Sequence, residues 1–167
     1  MKSTAPLRAL CGLCLMLILA PAQARATDAL TTMFTWWNQA FKTPGAFTAE
    51  AFRRYFTDDA AIVLNGKESA RGIPALVAQF QRIQANSQSV EIVLPFREGF
   101  VSGNKIFTYH FIRSQRAGRQ ECLRVMGYAV LQHGKIALVN FLRIPEDMDS
   151  GSADEACRPP VVGRASH

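Results

Sequence analysis

Histidine, aspartate and arginine are the side chains with which this 167-residue chain could bind or turn over a small molecule. His110 is the only histidine in a stretch of strand character. With Asp59 or Glu98 to orient it, its imidazole could act as a general base, because its ordinary pKa lies near neutrality. A place on a subunit face or in a satisfied core is the expected role, since nothing in the sequence brings a substrate proton within reach. Asp58 and Asp59 are adjacent carboxylates, yet neighbouring residues point different ways. At a helix-to-strand junction aspartate satisfies local backbone donors. Turn stabilisation is therefore expected, with a catalytic Asp59 as the alternative and Arg71 as a candidate ion partner. His133 falls in a turn and His167 ends the chain, so no three ligands converge in the sequence as a metal site needs. No metal and no cofactor are expected.

Cysteine usage is tied to how the chain begins. Lys2 and Arg8, the apolar run Ala9 to Ala20, Pro21 and the motifs Ala22-Gln23-Ala24 and Ala24-Arg25-Ala26 read as a cleavable secretory signal over residues 1–26. Arg25 cuts the run short of the roughly 20 apolar residues of a membrane span, so no stable anchor is expected after cleavage. Removing 26 of 167 residues leaves 141, enough for one domain with one core. The loss of Lys2, Arg8 and Arg25 takes the formal net charge from +6 to +3. The remaining cations are scattered, so nucleic acid is not an expected partner. Periplasmic or secreted localisation follows. Cys122 and Cys157 remain after cleavage and could pair in an oxidising compartment, with free or intermolecular thiols as the alternative.

The periodicity predicts which elements must position these groups. Leu30, Met33, Phe34, Trp37 and Phe41 recur at three and four, one face of a helix ended by Thr43-Pro44-Gly45. Thr48 opens a second, shorter helix. Ala60 to Leu64 is a strand closed by the Asn65-Gly66 turn. Gly72 and Pro74 open a third helix buried along Ile73, Leu76, Val77, Phe80 and Ile83. Four strand runs follow at about Ser89–Val101, Lys105–Ser114, Gln120–Gln132 and Lys135–Ile144, and their short turns imply an antiparallel meander. The domain is expected over 27–145, with 146–167 as a flexible C-terminal tail. The fold class is α+β: a curved antiparallel sheet with N-terminal helices packed on its concave face, a cone-shaped α+β barrel enclosing a space suited to a small ligand.

The segments FTWWNQAF, FRRYFTDDAAIVLNGK, ARGIPALVAQFQRI and VMGYAVLQHGKIALVNFLR resemble the SnoaL-like branch of the nuclear transport factor two superfamily over roughly Asp28 to Arg143. The resemblance implies the cone-shaped fold but no single reaction, because that superfamily hosts isomerases, cyclases, dehydratases, binding proteins and scaffolds. Where its ketosteroid isomerases carry their carboxylate, tyrosine and protonated acid, this chain has Leu64, Trp37 and Gly127. Ketosteroid isomerisation is therefore not expected.

The same register directs Phe107, Tyr109, Phe111, Val125, Gly127, Ala129, Val139, Phe141 and Arg143 into the cavity with Leu64, Trp37 and Tyr55. Thr108, His110, Arg124, Met126, Tyr128 and Asn140 then face outward, where members of the superfamily often pair as homodimers. Arg143 would be the one charge beside the cavity, able to hold a carboxylate or phosphate, or else a rim residue in a surface pair. Trp36 and Trp37 diverge by about 100° on a helix, so only one can face the cavity. The expected function is the binding of a small, mostly apolar molecule. The alternatives are an enzyme of the cyclase, isomerase or dehydratase kind using His110, Asp59 or Tyr109, and a dimeric scaffold with an empty cone.

Overall fold

The computed structural model describes residues 22–158. The expected leader lies outside the described residues except for its last five, which open the first helix. Elements run α1 (Ala22–Phe41), α2 (Ala49–Arg53), β1 (Phe56–Leu64), β2 (Lys67–Arg71), α3 (Gly72–Asn86), β3 (Ser89–Ile92), β4 (Glu98–Ser102), β5 (Lys105–Arg116), β6 (Arg119–Gln132), β7 (Lys135–Pro145) and a 3₁₀ turn at Glu155–Cys157. One sheet has the order β2-β1-β7-β6-β5-β3, and β4 also pairs with β5. No described helix is long and apolar enough to cross a membrane.

The aromatic stripe of α1 does what its spacing predicts. Leu30, Met33, Phe34, Trp37 and Phe41 are all buried, against Ile73 and Leu76 of α3 and the inner face of the sheet. Trp36 points aside and stacks on Tyr55 at 5.0 Å, leaving Trp37 to the interior. Thr48 caps α2, its Oγ1 accepting from Ala51 N at 3.2 Å. Asn65 and Gly66 both take positive φ, the two-residue hairpin geometry whose twist matches the strands it joins.

The sheet departs from expectation in three ways. It is mixed, because β1 runs parallel to β7 while the other pairs are antiparallel, and it is curved without closing into a barrel. The Asn65-Gly66 hairpin leads into β2, whose sequence KESAR has one buried residue, Ala70, and so shows no alternation of its own. The run predicted at Ser89–Val101 is split into β3 and β4, because Pro95 has no N–H to give the ladder.

Gly127 of β6 takes a φ of +153°. A Cβ there would lie 2.1 Å from the Asn140 carbonyl and 2.8 Å from Phe141 Cδ1. Only glycine lets β7 approach β6 this closely.

The tail expected to be mobile from residue 146 is folded back as far as residue 158. Cys157 forms a disulfide with Cys122. Met148, Ala153 and Ala156 pack with Phe111, Tyr109 and Val93 in a small second cluster on the outer face of the sheet. Asp154 caps the 3₁₀ turn and pairs with Arg97, and Glu146 pairs with Arg124. A polar sequence without apolar period is thus held by one covalent bond, a few ion pairs and the packing of Met148, Ala153 and Ala156.

Candidate functional site

Between α1, α3 and the concave face lies a cavity of about 440 Å³. Met33, Phe34 and Trp37 come to it from α1, Phe80 and Ile83 from α3, Ile62 and Leu64 from β1, His110 and Ile112 from β5, and Val139, Phe141 and Arg143 from β7. Its size and apolar lining with few polar groups are those of a small-molecule site.

His110 is the polar group set deepest into this wall. It is 1% exposed and surrounded by Phe34, Phe96 and Phe141, with ring centroids at 5.5, 5.4 and 5.3 Å. Its Nδ1 lies 3.2 Å from Thr108 Oγ1, whereas its buried Nε2 has no partner. Burial pushes the imidazole down to about 4, because the rings around it cannot solvate a cation. At neutral pH His110 is therefore an uncharged imidazole with one nitrogen unspent.

Arg143 is a cation of the same wall. It is half-buried, its Nε is enclosed without a hydrogen-bond partner, and burial lowers its pKa from the ordinary arginine value. Asn65 holds its backbone: Asn65 Oδ1 accepts from Arg143 N at 2.7 Å. Ser114, Arg116, Glu121 and Gln79 also line the cavity.

The β5 register is the main correction to the sequence reading. His110 lines the cavity, whereas Phe107, Tyr109 and Phe111 stand on the outer face. Phe107 stacks on Phe100 at 4.7 Å, and Tyr109 and Phe111 lie under the C-terminal segment. Both faces of β5 are apolar, so alternation alone could not assign them. In β6 and β7 the faces are as expected, with Val125, Ala129, Val139 and Phe141 inward and Met126 exposed, but Val125 and Ala129 are packed in the core and do not line the cavity.

Tyr55 is not part of the lining, its ring being stacked on Trp36. Gly127 contributes no side chain, and the space beyond its Cα is filled by β7. Asp59 and Glu98 are exposed and line no part of the cavity, so neither orients His110. Asp58 accepts from Arg53 Nε at 3.0 Å, and Arg71 pairs with Glu68 rather than with either aspartate. Trp37 and Leu64, at two of the isomerase positions, both face the cavity. Among the described residues no three potential metal ligands converge.

No family model matches the chain, and no curated protein does. Solved structures share its architecture. It is similar to an NTF2-like protein of unknown function from Exiguobacterium sp. 255-15, at 21% identity and a TM-score of 0.57, over 71% of this chain and 98% of that one. A candidate SnoaL-like polyketide cyclase from Jannaschia sp. CCS1 aligns at 12% identity and a TM-score of 0.60, over 76% and 89%. An LEH-like epoxide hydrolase from M. tuberculosis aligns at 15% and 0.58, over 73% and 80%. At these identities the likeness is one of fold: the chain has the NTF2-like cone, as its sequence motifs imply.

Proposed function

We propose that this protein binds a small, mostly apolar molecule in its cone and reads one neutral polar group of that molecule with His110. The observation that carries the reading is the unpartnered Nε2 of His110 in the wall of a mostly apolar cavity. A buried nitrogen without a partner costs roughly 1–3 kcal/mol, which a ligand hydroxyl or carbonyl would recover. Export and homodimerisation belong to the same reading. The Cys122–Cys157 bond suits an oxidising compartment. Phe100, Met126, Leu142 and Ile144 are exposed on the sheet, a surface suited to a second copy.

A second reading, enzyme catalysis with His110 as base, is favoured by its place in the cavity. It is opposed by the lack of a carboxylate partner and by an imidazole pushed well below neutrality, where it is a weak base.

Native mass spectrometry of the protein purified from the cell that makes it tests the proposal. A discrete small-molecule adduct, lost on mild activation and reduced in His110→Phe, is expected. The same unliganded mass in both proteins would overturn the binding reading. Turnover that disappears in His110→Asn would instead favour the enzyme.

A further inference from the structure

We propose that the ligand is a monoanion, an apolar carboxylic acid whose carboxylate pairs with Arg143; this rests on the cone being a small-molecule site. Three arginines among the described residues are partly buried as whole residues: Arg113, Arg124 and Arg143. The first two are matched within the chain. Arg113 Nη2 donates to Glu91 Oε2 at 2.7 Å, and Arg124 Nε lies 2.7 Å from Glu146 Oε1, an ionic contact without hydrogen-bond alignment. Arg143 has no carboxylate among the described residues, although its Nε is enclosed. A guanidinium N–H withdrawn from water is unfavourable unless an acceptor replaces that water.

Its neighbours do not supply one. The Asn65 amide is committed to the Arg143 backbone, accepting from its N at 2.7 Å and donating to its carbonyl at 3.4 Å. Glu121 faces Ser114 Oγ at 3.5 Å. The charged residues lining the cavity are Arg116, Glu121 and Arg143, one net positive charge that a monoanion balances. Two coplanar carboxylate oxygens also match the guanidinium fork. The arrangement describes an acid whose apolar body fills the aromatic interior, while a separate neutral oxygen, where the ligand has one, meets His110.

Isothermal titration with matched pairs of probes tests this: octanoate with octan-1-ol, and 6-phenylhexanoate with 6-phenylhexan-1-ol. At neutral pH each binding acid should exceed its alcohol at least tenfold in affinity. Arg143→Gln should bring the acid down to the alcohol's level without changing the alcohol's Kd, and Arg143→Lys should fall between. The alcohol serves as the control for an intact pocket in every variant. Equal affinity of acid and alcohol in the unaltered protein, or an acid unaffected by Arg143→Gln, would overturn the anion and leave the pocket standing. Binding of neither member of either pair would count against both readings.

Discussion

His110 and Arg143 share a register partner. Val125 of β6 stands opposite His110 on one side and Arg143 on the other. The neutral and the cationic group therefore lie at one depth of the cone, two strand spacings or roughly 10 Å apart at their Cα atoms. On a concave face their side chains lean toward each other. The polar features of the ligand should accordingly be clustered rather than placed at opposite ends.

Acid should destabilise the protein through His110. Its folded-state pKa is depressed from 6.5 to about 4, so the unfolded chain binds the proton more readily. Stability is then full above about pH 6.5, falls as pH drops and levels off below about 4, a loss on the order of 3 kcal/mol. Urea midpoints measured from pH 7.5 to 3.5 should show this decline, and His110→Phe should flatten it. An unchanged slope in the variant would assign the acid sensitivity elsewhere.

Gly127→Ala should be severe. The added methyl meets the Asn140 carbonyl at 2.1 Å, and an L side chain is strained at this φ. Together these predict a loss of about 3 kcal/mol or more, seen as a large fall in Tm. A variant that melts with the unaltered protein would mean that the close approach of β7 is not needed.

Reducing the Cys122–Cys157 bond should cost about 4 kcal/mol, the chain entropy released when a loop with a separation of 35 residues is opened. The bond lies on the face of the sheet opposite the cavity, so probe affinity should change little at temperatures where the protein stays folded. Denaturation and titration with and without dithiothreitol check both halves.

The outer face should control assembly. Leu142 is 56% exposed in the middle of β7. If two copies meet there, Leu142→Glu should convert a sedimenting dimer to a monomer with little change in thermal stability of the protomer. A monomer in both proteins would remove the dimer from the proposal.

The sequence was most legible where one face of an element is plainly apolar. The stripe from Leu30 to Phe41 assigns α1, and the alternation through Val139, Phe141 and Arg143 assigns β7. It was misleading in β5, where Phe107, Tyr109 and Phe111 alternate with Ile106, His110 and Ile112. The deciding fact is that residues 146–158 cover part of the outer face, and that segment has no period by which to find it. β2 was missed because an edge strand with one buried side chain looks like a polar loop. Arg143 was legible as a wall residue. That His110 faces the same cavity was not, because it depended on the β5 register.

The Cys122–Cys157 bond also changes how the molecule answers a pull on its ends. Force passing along the chain would bypass everything between the two cysteines, including most of β6 and all of β7, and load the bond instead. A separation of 35 residues, at roughly 3.5 Å each, withholds about 120 Å of contour length from extension. Stretched oxidised, the protein would lengthen in a shorter step than when reduced, and the strands that carry Val125 and Arg143 would not be drawn out until the bond is cut.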